Sequence, residues 1–240
     1  MKVRFLSVGD TGLAVELGDA VDRETSRAVL RLDRALRAAR PVGVVETVPT
    51  FRSLLVHYDP LATSRGELET AIAGLFTDDR SPPPNPRLWR IPVCYEGEFA
   101  PDLDVVARLT GLAPGEVVAA HSGVCYHVYM LGFLPGFPYL GDLPQALALP
   151  RRADPRLRVP AGSVAIATTL SAIYPFESPG GWHLIGTTPL RLFDPARNPP
   201  ALLAAGDAVI FEPIDASAFA AIRTRVAAGA DPFGGGNPSP

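Results

Sequence analysis

Residues 3–8 and 12–17 are two short apolar-rich runs separated by Gly9-Asp10, and they read as two strands around a turn. Over residues 22–39 the spacing changes. Val29, Leu32, Ala35, Leu36 and Ala39 recur at three- and four-residue intervals, which predicts a helix. Strands are expected again at 42–48 and 52–58, flanking Pro49-Thr50. Ser64-Arg65-Gly66-Glu67 has the form of a capping box, in which serine and glutamate satisfy each other's free backbone N–H groups. It opens a helix with Leu68, Ala71, Ile72, Leu75 and Phe76 on one face. The order ββαββα predicts a small N-terminal α+β domain over residues 1–80, with its helices on one face of a sheet.

The segment SPPPNP (81–86) lies in a stiff linker predicted over 81–88, because proline donates to no ladder and biases its neighbour toward extended backbone. The second region opens with a strand from Trp89 to Tyr95. Short helices follow near 102–110 and 114–121, with Gly111 placed to end the first and Pro114 to begin the second. Strands are then expected near 126–131, 163–168, 183–186, 189–193 and 207–213, with Pro and Gly in every gap. That pattern predicts a β-barrel-like domain over 89–228, closed by a helix at 217–227. Residues 229–240 show no apolar period and are expected to be a disordered tail.

Composition narrows the chemistry. Of 240 residues, 47% are hydrophobic and 20% charged, and the net charge is −3. That balance gives no electrostatic basis for binding nucleic acid or an anionic membrane surface. No apolar run reaches the length of a membrane span, and the first residues lack a signal-peptide core. Two cysteines, Cys94 and Cys125, fit free thiols in a reducing compartment, so a cytoplasmic protein is expected. Lys2 is the only lysine; the other 21 of the 22 basic residues are arginine. A phosphate loop of the GxxxxGK[ST] type and an interior Schiff-base lysine are therefore excluded.

HExxH, CxxC and GxSxG are absent, and His57, His121, His127 and His183 form no helical i,i+4 ligand pair, so no metal site is expected. Ser163, in PAGSVAI, reads as a turn hydroxyl rather than a nucleophile. The candidate chemistry lies between 121 and 194. YHVYMLGFLPGFPYLG (126–141) is either a Gly/Pro turn with core aromatics or a rigid loop presenting flat apolar surface. PRRADPRLRVPAGS (150–163) holds Arg151, Arg152, Arg156 and Arg158, forks suited to a carboxylate or phosphate, or else a solvated face of ion pairs. In IYPFESPGGWHLIGTT (173–188), Trp182 is either core or pocket wall, and Glu177 is the nearest carboxylate.

Several long segments, in order, resemble one family. They are GDTGLAVELGD (9–19), VPTFRSLLVHYDP (48–60), IPVCYEGEFAPDL (91–103), HVYMLGFLPGFPYLGDLP (127–144), PRRADPRLRVPAGSVAIA (150–167), IYPFESPGGWHLIGTTPLRLFD (173–194) and GDAVIFEPI (206–214). The family is the one named for an inhibitor of a sporulation histidine kinase and for allophanate hydrolase subunit 1, and many of its members resemble the B subunit of 5-oxoprolinase. The resemblance implies an α+β fold in which the N-terminal domain precedes a cyclophilin-like barrel. It implies a stable heteromer with the C subunit of 5-oxoprolinase, and an A subunit that completes the opening of 5-oxoproline to glutamate. ATP and Mg²⁺ would serve the complex rather than this chain alone, and the isolated chain would be inactive. On this reading Arg151 and Arg156 are candidates for anion binding. His127, Tyr139, Tyr174 and Trp182 are candidates to line the pocket beside Ser163, and the catalytic group is unassigned. Exposed aromatics near 133–139 would suit a partner interface. The family's pattern leads one to expect Gly-Gly-Gln-Thr-Gly after SVAIA and an arginine after LIG. Here TTLSA (168–172) puts Leu170 at the glutamine position and Thr187 at the arginine. Inhibition of a histidine kinase is the alternative reading, and prolyl isomerisation a weaker third.

Overall fold

The computed structural model describes residues 3–76 and 86–230. The chain divides into two compact units, Met1–Asn85 and Pro86–Pro240. Residues 81–85 of the expected linker, and residues 231–240 of the expected tail, lie outside the described residues.

In the first unit, β1 (Arg4–Val8), β2 (Gly12–Glu16), β3 (Val44–Pro49) and β4 (Ser53–Tyr58) form an antiparallel sheet in the order β1-β2-β4-β3. Helices α1 (Arg23–Ala39) and α2 (Arg65–Leu75) contribute Val29, Leu32, Leu36, Leu68 and Ile72 to a core completed by Leu13, Val15, Leu54 and Val56 from the sheet. The Asp22 carboxylate accepts the Thr25 N–H (2.7 Å) and starts α1. The capping box predicted at Ser64 forms, the Glu67 carboxylate accepting the Ser64 N–H at 2.8 Å.

In the second unit, β5 (Leu88–Cys94) leads through a 3₁₀ turn to α3 (Leu103–Thr110) and α4 (Pro114–Ser122). Then come β6 (Tyr126–Leu131), β7 (Pro138–Gly141), β8 (Arg156–Val159), β9 (Ser163–Ala167), β10 (Leu170–Ile173), β11 (Ser178–Gly180), β12 (His183–Thr187), β13 (Ala208–Ile214) and α5 (Ala216–Ala227). Seven of these strands close a barrel in the order β10-β7-β6-β13-β5-β12-β9, with β9 returning to β10. The β13–β5 pair is parallel, and the others are antiparallel. Strands β8 and β11 form a separate ribbon.

Period-two alternation sorts the barrel's side chains into two sets. Ile91, Val128, Leu140, Val164, Ile173, Ile185 and Val209, one from each barrel strand, belong to a single cluster, which is therefore the lumen. Their neighbours Ala165, Ala167, Ala172 and Leu184 belong to a second cluster on the outer face of β9, β10 and β12. Among the described residues no helix is long and apolar enough to cross a membrane.

The run 189–193 is not a strand. Leu190 and Leu192 are buried, which explains the apolar alternation, but Pro189 has no N–H and the segment's only bridge is Phe193 to Ala201. The strand expected near 163–168 is β9, the first arm of the β9–β10 hairpin. Thr168 opens its two-residue turn with φ of +54°, a region that β-branched residues avoid and glycine tolerates. Thr168→Gly should therefore stabilise the barrel unit by roughly 0.5–1 kcal/mol, read as a rise in Tm of about 2 °C. An unchanged or lower Tm would show that the Thr168 hydroxyl, which bonds the Ala167 carbonyl at 2.6 Å, outweighs the backbone strain.

Candidate functional site

Alanines at 165, 167 and 172 leave the outer face of β9 and β10 low, and four aromatic rings pack over it. Phe137 is central. Its ring meets Tyr139 at 5.0 Å, Tyr174 at 5.1 Å and Trp182 at 6.2 Å between centroids, the last two edge-to-face. Tyr139 and Trp182 also meet edge-to-face at 6.2 Å. Contacts of this geometry each add about 0.5–1.5 kcal/mol beyond burial, so the rings hold one another in place. A glycine is required at 180, because a Cβ there would collide with the Tyr174 hydroxyl and ring.

The cluster keeps polar edges. Neither the Trp182 indole N–H nor the Tyr174 hydroxyl has a hydrogen-bond partner among the described residues, and neither is sealed from solvent. Burial raises the Tyr174 pKa to about 12 against the opposing pull of Arg151 and Arg156. Burial likewise raises that of Tyr139, with Arg151 again opposing. Both phenols are therefore neutral O–H groups at physiological pH, able to donate a hydrogen bond.

The four arginines of 151–158 have different fates. Arg156 is committed to Asp102 in a two-pronged pair at 2.6 and 2.8 Å, and Arg152 reaches the same carboxylate at 3.2 Å. Arg158 pairs with Glu177 at the surface. Arg151 alone of the four has no hydrogen bond or ion pair among the described residues, while its charge acts on Tyr139 and Tyr174. The expectation that Arg156 binds an external anion is thus corrected: a buried carboxylate occupies its fork.

The segment carrying Arg151 is pinned on both sides. His183 donates Nε2–H to the Pro150 carbonyl (3.1 Å), and the Arg152 N–H bonds the Gly181 carbonyl (2.7 Å). The structure therefore brings together Tyr139, Tyr174, Trp182 and Arg151. His127 lies on β6 opposite Gly141, two residues along β7 from Tyr139, with its ring edge-on to Tyr129 at 4.7 Å. Ser163 donates its hydroxyl to the Pro160 carbonyl (2.8 Å) and is the turn hydroxyl its context predicted. Of the two departures from the family pattern, Leu170 packs against the outer aromatic cluster. Thr187 gives its hydroxyl to the Phe99 carbonyl at 2.7 Å.

Sequence reasoning missed Phe137, Asp102 and His121. Phe137 was one of several aromatics in a Gly/Pro-rich run, with no periodicity to single it out. Asp102 occupies the N-cap position of α3, yet its side chain makes no capping bond. His121 is sealed inside the barrel. Its Nδ1 lies 2.8 Å from the Tyr95 hydroxyl, its Nε2 lies 3.0 Å from Ser171 Oγ, and its ring stacks on Phe211. Among the described residues no group of three His, Cys, Asp or Glu side chains is placed to hold a metal ion.

A family profile described as carboxyltransferase domain, subdomain C and D, matches residues 3–203. The chain is 54% identical over 213 residues to the 5-oxoprolinase B subunit of Haemophilus influenzae, covering 87% of this chain and 97% of that one. It is 40% identical over 227 residues to the 5-oxoprolinase B subunit of Bacillus subtilis, covering 88% and 93%. The crystal structure of TTHA0988 aligns with a TM-score of 0.76 at 42% identity, over 89% of this chain but only 40% of that chain. The Kluyveromyces lactis urea amidolyase aligns with a TM-score of 0.77 at 21% identity over 93% of this chain and 15% of that one, a likeness of fold.

Proposed function

The chain belongs to the carboxyltransferase subdomain C and D family alongside the B subunits of bacterial 5-oxoprolinases, and from that premise we propose that it is the B subunit of an ATP-dependent 5-oxoprolinase. In this reading it assembles with the C and A subunits to open 5-oxo-L-proline to L-glutamate. The observation that carries the reading is the outer barrel face, where a buried aromatic cluster meets two donors and one guanidinium that have no hydrogen-bond or ion-pair partner among the described residues.

The substrate's chemistry matches these parts. Its five-membered ring has an apolar face that the Phe137–Tyr139–Trp182 rings can cover. Its lactam oxygen needs donors, which the Tyr174 hydroxyl and the Trp182 indole supply. Its carboxylate needs a cation, and Arg151 provides a planar fork. A lactam carbonyl is a poor electrophile, and ATP with Mg²⁺, when bound by the complex, supplies the activation. Among the described residues the side chains do not fit that group. The buried carboxylates Asp33, Asp102 and Asp207 are each already paired with arginine, and Lys2 is the only lysine. The part assigned to this chain is to bind the lactam, orient it and exclude water from one of its faces.

The test is 5-oxoproline-dependent ATP hydrolysis and glutamate release by the three purified proteins, with and without this chain. Turnover that requires the chain is the expected result. Full turnover in its absence, or none in its presence despite a stable complex, would reject the assignment.

A further inference from the structure

We propose that Asp102 is the positioning residue for the anion-binding end of this site, an inference that rests on reading the outer face as the lactam site. Its side chain is only 3% exposed, and both its oxygens are saturated. Oδ1 accepts from Arg156 (2.6 Å) and Arg152 (3.2 Å); Oδ2 accepts from Arg156 (2.8 Å) and from the Leu184 N–H (2.7 Å). Its own N–H returns to the Leu184 carbonyl at 2.9 Å. One carboxylate thus joins three segments: the loop before β8, β8 itself and β12.

Those segments carry the site. Arg151 adjoins Arg152, and Trp182 lies two residues before Leu184. A helix-capping aspartate would bond the first N–H groups of α3; Asp102 instead turns away from the helix toward this junction. Two guanidinium groups meet one carboxylate, which leaves a positive surplus beside Arg151 and favours an anion there.

The surplus also makes the proposal discriminating. If Asp102 acted only through its charge, Asp102→Asn would make the site more positive and lower KM for 5-oxoproline. If Asp102 positions Arg151 and Trp182, the same change raises KM although the charge has become more favourable.

The experiment compares Asp102→Asn, Arg152→Gln and Asp207→Asn in the reconstituted complex. Arg152→Gln withdraws one donor without leaving the carboxylate unpaired, and it serves if Asp102→Asn does not fold. Asp207 is a matched buried carboxylate, held by Arg87 at 2.8 and 3.0 Å and by the Trp89 indole at 2.9 Å, away from the aromatic face. KM should rise roughly tenfold in Asp102→Asn and severalfold in Arg152→Gln, with kcat within about threefold, while Asp207→Asn lowers Tm and leaves KM alone. An unchanged or lower KM in the first two, or an equal rise in Asp207→Asn, would overturn the proposal. Iodide quenching of Trp182 in the full-length Trp89→Phe chain requires no turnover and separates the two readings. If the wild-type complex fails to open 5-oxoproline, the lactam assignment falls. Increased quenching specific to Asp102→Asn would still support the positioning role, and unaltered quenching would reject it.

Discussion

Acidification from pH 7 to about 4.5 is expected to destabilise the barrel unit by about 3 kcal/mol, and one residue accounts for it. His121 is fully buried, and burial lowers its pKa from 6.5 to about 3. The unfolded chain therefore binds a proton that the folded chain refuses between those two values. Stability is complete above pH 6.5 and falls by about 1.4 kcal/mol per unit below it, until the folded state also protonates near 3. The hydrogen bonds show why the ring stays neutral. Ser171 gives its hydroxyl proton to the Ala165 carbonyl (3.2 Å), so its oxygen accepts from His121 Nε2–H. Nδ1 is left as the acceptor for the Tyr95 hydroxyl, and a second ring proton would face that donor. Carboxylates held low by local hydrogen bonds, Asp22, Glu67 and Asp194, lose their contribution only at still lower pH, so they leave this window clear. Urea unfolding followed by tryptophan fluorescence measures the effect, since Trp89 and Trp182 both lie in the barrel unit. His121→Gln should be about 1–3 kcal/mol less stable near neutral pH, yet nearly flat between 6.5 and 4.5. The same slope in that variant would assign the acid sensitivity elsewhere.

Arg151 and Arg156 should separate function from stability. Arg151 carries no partner within the described chain, so Arg151→Ala is expected to leave Tm within about 1 °C of wild type. In the reconstituted complex it should raise KM for 5-oxoproline about 10- to 100-fold, the equivalent of one charge-assisted contact, with kcat nearly unchanged. Arg156→Ala is expected to lose stability as well as substrate affinity, because it loosens the junction at Asp102. It leaves Arg152, at 3.2 Å, as the one cation on the buried Asp102 carboxylate beside the Leu184 N–H at 2.7 Å, and should cost about 2–4 kcal/mol of stability. Thermal unfolding and steady-state kinetics on both variants settle the matter. A large Tm loss in Arg151→Ala, or a pure KM effect in Arg156→Ala, would reverse the roles.

These two arginines also mark where sequence reasoning stops. Four guanidinium groups within eight residues are visible in the sequence, but their partners are not. Asp102 lies 54 residues before Arg156, in a segment that reads locally as a helix start. His121 meets Ser171 across 50 residues in the same way. Features set by neighbouring residues were legible, among them the Ser64–Glu67 capping box, the amphipathic face of α1 and the Pro114 start of α4. The short strands β7, β8, β10 and β11 were not, because three or four residues among Gly and Pro carry too little alternation to read. The residues alone left Trp182 between core and pocket wall, and a family resemblance added Tyr139 and Tyr174 beside it. The fold explains why they meet: β7, β10 and β12 turn them to one outer face above a floor of alanines.

The most direct test of the lactam site is a substrate–variant cycle in the reconstituted complex, comparing 5-oxoproline with 2-pyrrolidinone, the same ring without the carboxylate. Wild type should favour 5-oxoproline in kcat/KM, and Arg151→Ala should lose most of that preference while handling 2-pyrrolidinone as wild type does. A preference that survives intact in Arg151→Ala would place the substrate carboxylate elsewhere and contradict the assignment of this face as the lactam site.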